Sequence, residues 1–127
     1  MTMTAPRPQD SLYQVVRRSD GIVEVRRTAA ARVTRDDAIA LLQSLDRLAG
    51  GHAVPLLVDV RSTQGLDRES RLLFQQATSI RAAALLVDSP VSRVVANLFM
   101  GLNRPAYPMR LFNDEAEALS WLRGFLP

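Results

Sequence analysis

The sequence predicts an α/β domain: an N-terminal β-hairpin, then αβαβαβα, forming a mixed, mostly parallel sheet of about five strands with helices packed on it. Three observations predict it. Apolar residues near the start flank an Asp20-Gly21 tight-turn signal. From Thr34 onward, apolar stripes spaced at three and four alternate with short continuous apolar runs. The run at 54–60 (VPLLVDV) carries a single acid, as a strand covered on both faces does.

Residues 1–10 (MTMTAPRPQD) hold two prolines and no periodicity, which reads as a frayed tail, and 11–127 as one domain. Leu12, Tyr13, Val15 and Val16 form the first strand; Ile22, Val23 and Val25 form the second, continued through Arg32 and Val33. Thr34 stands where an N-cap belongs, with Asp36 and Asp37 in the first turn, where carboxylates favour the helix dipole. Ala38, Leu41, Leu42, Leu45, Leu48 and Ala49 make one stripe, and Gly50-Gly51 ends the helix. After the 54–60 strand, Asp67 caps a second helix carrying Leu73, Phe74, Ala77 and Ile80. Residues 82–87 (AAALLV) form the next buried strand. Ser89-Pro90 supplies a cap followed by proline at the first helical position. That third helix presents Val91, Val94, Val95, Leu98 and Leu102. Pro108 marks the run 107–112 as an edge or a strand end. Asn113, Asp114 and Glu115 open the last helix, whose inner face is Ala118, Leu119, Leu122 and Phe125.

Composition excludes more than it selects. The chain has 127 residues, 16 of them arginine and none lysine, and a net charge of +3. Its pI of 10.5 reflects the missing lysines more than a basic surface. The arginines are scattered and no aromatic platform accompanies them, so nucleic acid is not an expected partner. No cysteine is present, which removes thiol catalysis, disulfides and thiolate metal sites. His52 is the sole histidine and sits in a helix-to-strand turn, away from the loops that follow the strands. No phosphate-cradling glycine motif and no metal-ligand spacing occurs, so no cofactor, no metal and no catalytic residue is assigned. No apolar run approaches the ~18 residues of a membrane span, and no secretory leader pattern opens the chain, so a cytoplasmic location is expected.

Four segments carry a resemblance: the hairpin turned at Asp20-Gly21, VPLLVDVR (54–61), AAALLVDSPVSRVVANLFMGLNRPAYPMRLF (82–112) and NDEAEALSWLRGF (113–125). Over residues 12–126 the sequence resembles small bacterial proteins of SpoIIAA-like fold, the fold of STAS domains and CRAL-TRIO lipid-binding domains. The resemblance implies a single α/β domain with a central sheet and brings no established activity. Its best-understood members are anti-sigma-factor antagonists. In them, a serine capping the helix after the central strand is phosphorylated to break a partner complex. Here Asp59 fits the acid at the strand end and Asp67 the capping acid. Arg68 and Glu69 stand where the switch serine is expected, and Ser70 falls inside the helix, so the phospho-switch is not carried over.

Two candidate surfaces follow. The first is a recognition loop of Asp59, Arg61, Ser62, Thr63, Asp67 and Arg68. The second is the interface helix with Arg93, Asn97, Phe99 and Met100, whose apolar residues fall on more than one side. A helix of that kind is enclosed or partnered, and a second copy is the expected partner. The expected function is a non-enzymatic interaction or regulatory module of STAS-like type, homodimeric, with an unknown protein partner. The alternative is a small apolar or anionic ligand-binding domain of CRAL-TRIO type, using the strand edge at Asp59 and Asp88.

Overall fold

A computed structural model of the chain describes residues 13–27, 31–61, 63–90, 93–94, 97 and 106–127. The strands are β1 (Tyr13–Arg17), β2 (Val23–Arg27), β3 (Ala31–Val33), β4 (Val54–Asp59), β5 (Thr63–Leu66), β6 (Ile80–Leu86) and β7 (Met109–Phe112). The helices are α1 (Arg35–Ala49), α2 (Arg68–Gln75) and α3 (Glu115–Arg123). Five strands form one sheet in the order β1-β2-β4-β6-β7, with β1 antiparallel to β2 and every other pairing parallel.

Local chemistry sets these boundaries. At the hairpin, Gly21 adopts φ 96°, while the Asp20 carboxylate accepts the Ile22 N–H at 3.1 Å. A side chain at Gly21 would be strained by that φ and would crowd Leu126, whose Cδ2 lies 3.2 Å from the added Cβ. Thr34 and Asp37 form a capping box on α1: the Thr34 hydroxyl accepts the Asp37 N–H, and the Asp37 carboxylate accepts the Thr34 N–H at 3.0 Å. Gly50, left-handed at φ 61°, closes the same helix. Asp67 caps α2 by accepting from the Ser70 N–H, and Asp114 caps α3 through the Ala116 and Glu117 N–H groups. Pro55 lies in the central strand, where its missing N–H is tolerated because the pairing with β6 shifts register between Val54 and Pro55.

Strand alternation gives the sheet two faces. Val23, Val25, Leu56 and Ala83 pack with Leu41 and Leu45 of α1, with Phe74 of α2 against them. Ile22, Leu57, Ala82, Ala84 and Leu86 pack with Ala118, Leu119 and Leu122 of α3. Trp121 extends that second cluster, its ring 5.7 Å from Phe112 and 4.9 Å from Phe125.

The hairpin-first order, the mixed five-stranded sheet and the packed helices are those the sequence predicts. Four local expectations are corrected. The second strand does not run through Val33: it stops at Arg27, and Ala31–Val33 is a separate strand. That strand pairs in parallel with Thr63–Leu66, inside the stretch read as a loop, and the two form a second, two-stranded sheet. The second helix stops at Gln75, and Ile80, assigned to it by spacing, begins β6. Finally, Val94 is 57% exposed and does not belong to a core stripe. Among the described residues, no helix is long and apolar enough to cross a membrane.

Candidate functional site

The carboxyl ends of β2, β4 and β6 lie side by side, and α3 begins beside them. Open α/β sheets place ligands at such an edge. A groove of about 270 Å³ opens there, lined by Glu24, Arg26, Leu57, Asp59, Arg61 and Glu115, among others. Glu24 and Arg26 are two apart on β2, and Leu57 and Asp59 two apart on β4, so each pair shares a face. Ile22 and Leu57 pack against α3, which fixes that face as the α3 side of the sheet.

Every charge in the groove that belongs to a strand or its turn is paired. Asp59 ends β4, and the turn after it folds Arg61 back onto its carboxylate. Arg61 Nε donates to Oδ1 at 2.9 Å, Nη2 to Oδ2 at 2.8 Å, and the Arg61 N–H to Oδ1 at 3.0 Å. This is a bidentate fork reinforced by the backbone. Glu24 is 3% exposed and held from both sides. Arg18 Nη1 donates to its Oε1 at 2.7 Å, and Arg26 Nε to its Oε2 at 2.6 Å. Arg18 also reaches Asp20 at 3.3 Å, so the hairpin carries a run of alternating charge that ends in the groove.

These pairings fix protonation. Burial pushes the Asp59 carboxyl up, but the Arg61 side-chain and backbone hydrogen bonds, with the charges of Arg61 and Arg26, outweigh it and hold Asp59 below the usual carboxylate range. Burial likewise pushes Glu24 up, and the hydrogen bonds and charges of Arg18 and Arg26 bring it below its ordinary value. The hydrogen bond to Asp59 raises the Arg61 guanidinium, with the charges of Asp88 and Glu115 adding to it. Asp59, Glu24 and Arg61 are therefore permanent charges across the neutral range.

The structure brings Asp59, Asp88 and Glu115 within electrostatic reach of Arg61. Neither Asp67 nor Arg68 lines the groove. Asp67 is occupied in capping α2, its Oδ1 2.8 Å from the Ser70 N–H. Arg68 is exposed at the first position of α2, and Thr63 begins β5. Ser62, Phe99 and Met100 lie outside the described residues. Arg93 and Asn97 are both exposed in a helical segment, on one face with Pro90 and Val94 at the spacing i, i+3, i+4, i+7. Ser70 is fully buried and its hydroxyl donates to the Val33 carbonyl at 3.4 Å, so it ties α2 to β3. His52 is exposed at the opposite end of β4 from the groove. Among the described residues, no group of three or more His, Cys, Asp or Glu is placed to hold a metal ion.

Sequence reasoning missed Glu24, Arg26 and Glu115. One signal was present: Glu24 shares with Ile22 the strand face that turns inward, so an acid stands where an apolar residue is expected.

With that geometry established, relatives place the chain. Residues 16–126 match the model of a domain of unknown function, DUF7793. The chain belongs to that family. The DUF7793 domain is similar in structure to a crystal structure of an uncharacterised DUF3478-family protein with a SpoIIAA-like fold from Shewanella loihica PV-4. The TM-score is 0.58 and the identity 15%, covering 87% of this chain and 91% of that one. The resemblance carried by the sequence motifs thus holds at the level of fold. A protein of unknown function from Arthrobacter sp. FB24 is 35% identical, covering 85% of this chain and 90% of that one, with a TM-score of 0.34. No curated protein matches the sequence.

Proposed function

We propose that this DUF7793 domain is a non-enzymatic recognition module, and that its partner or ligand meets the groove at the carboxyl edge of β2, β4 and β6. The observation that carries this reading is the pair of locked charge clusters in one groove, Asp59 with Arg61 and Glu24 with Arg18 and Arg26. General acid–base work calls for a group whose pKa lies near the working pH. Asp59 and Glu24 are displaced the other way, towards permanent ionisation. Fixed, pre-oriented charges suit recognition, where they set register and reject mismatched partners.

The volume, about 270 Å³, falls just below the range typical of drug-sized ligands. Together with the charged lining it favours a polar side chain or a small polar molecule over an apolar lipid. A homodimer belongs to the same proposal, supported by Val94, an exposed valine in a helical segment otherwise showing Arg93 and Asn97. A Val94→Glu substitution is expected to convert a dimer to monomer; an unchanged solution mass rejects that part.

The test of the groove is native mass spectrometry on protein purified gently from its own host, as wild type and as Arg61→Glu. A partner chain or a small-molecule mass carried by the wild type and lost in the variant supports the reading. Wild type and variant with the same bound mass, or a wild type that carries none, overturns it.

A further inference from the structure

A second depression lies near the start of α3 and shares no lining residue with the groove. It has a volume of about 210 Å³ and is lined by Arg93, Arg110, Leu111, Phe112, Asn113 and Glu117. We propose that it is a binding site for a small oxyanion, a phosphate or carboxylate group, held between Arg93 and Arg110.

The argument rests on charge and placement. Arg110 comes from β7 and is steadied over the Phe112 ring, its guanidinium carbon 5.3 Å from the ring centroid. Arg93 comes from the helical segment that opens at Pro90, where its N–H donates to the Ser89 carbonyl at 3.0 Å. Two separate elements thus each contribute an arginine to the lining of one small concavity. Unlike Arg61 and Arg26 in the groove, neither makes an ion pair among the described residues. Glu117 is the single carboxylate in the lining, so the depression keeps a net positive charge. Guanidinium forks match the paired oxygens of carboxylate and phosphate, and Asn113 adds an amide beside them.

The N-terminus of α3 is not the source of the attraction. Asp114 already occupies the Ala116 and Glu117 N–H groups, at 2.8 and 3.4 Å. The site is therefore an arginine pair, and Glu117 tempers it. The modest volume suits one oxyanion group and little of whatever carries it.

Calorimetric titration of the intact protein with inorganic phosphate, and separately with acetate, at constant ionic strength in chloride, tests the proposal. Saturable binding is expected, weakened at least about tenfold by Arg93→Gln and by Arg110→Gln, the loss of a hydrogen bond to a charged group. Glu117→Gln is expected to tighten it several-fold, which a fold defect would not do. Arg61→Gln, in the separate groove, is expected to leave it unchanged, so the outcome is independent of the recognition reading above. Tighter phosphate than acetate assigns a phosphoryl group; the reverse assigns a carboxylate. No saturable binding of either ion, or binding equally retained by both arginine variants, overturns the proposal.

Discussion

The two faces of the sheet are built to different standards. One is covered by α1, fifteen residues long, with α2 beside it, and stays apolar from Val15 on β1 to Ala83 on β6. The other is covered by α3, nine residues long, which packs on β4, β6 and β7. A helix is about 10 Å across, roughly two strand spacings of 4.8 Å, so a single helix cannot cover five strands. At the β1–β2 end of the α3 face, charges take the place of a helix: Arg18, Glu24 and Arg26 lie over the sheet, and Val16, paired with Glu24, is left 42% exposed. The groove forms where α3 runs out. The shortage of a helix on one side leaves a polar site at the strand edge without disturbing the core on the other.

Core truncations probe this contrast most strongly. Leu45 of α1 and Leu122 of α3 are 1% and 0% exposed. Leu45→Ala and Leu122→Ala are each expected to lose about 2–5 kcal/mol in urea unfolding. The Leu45 change is expected to cost more, because its face carries the larger cluster. Equal or reversed costs break the comparison.

Glu24→Gln comes next, with an expected loss of about 1–3 kcal/mol at neutral pH, because it leaves Arg18 and Arg26 around a neutral, nearly buried amide. The pH dependence sharpens it. Glu24 and Asp59 have folded-state pKa values below their unfolded ones. Their contribution is therefore present above the unfolded carboxylate values and is lost as pH falls through the folded ones. Unfolding midpoints measured across the acid range are expected to fall less steeply for Glu24→Gln than for wild type.

Smaller effects follow at the periphery. Asp67→Ala removes the α2 cap and is expected to cost about 1 kcal/mol, seen as a lower thermal midpoint. Arg61→Gln breaks a pair whose side chains are 46% and 27% exposed, so a loss within about 1 kcal/mol is expected, beside whatever it does to binding.

Much of the fold was legible because its punctuation is local. Thr34 and Asp67 are caps read directly from residue type, Asp114 is one of the three residues read as opening the last helix, and Gly21 and Gly50 take the positive φ their positions suggested. The small β3–β5 sheet was not legible. Its strands are three and four residues long, its pairing spans some thirty residues of chain, and β5 reads TQGL, which lacks a run of strand-forming side chains. The misreading of Val94 has a different cause. Val94 stands three residues from Val91 on the apolar side and also beside Pro90, Arg93 and Asn97 on the polar side, and spacing alone does not choose between the two. In the groove, Asp59 and Arg61 were legible as polar residues closing an apolar strand. Glu24 and Arg26 were not, because alternation in β2 gives the face and tertiary structure gives what covers it.

The most direct test of the central claim, that the groove is a set of locked charges, is a carboxyl-carbon NMR titration of Glu24 and Asp59 in the folded protein. Both are predicted to titrate below the usual carboxylate range, and Asp59 to rise when Arg61 is replaced by glutamine. Either group titrating above that range would contradict the account and return a proton-transfer role to the site.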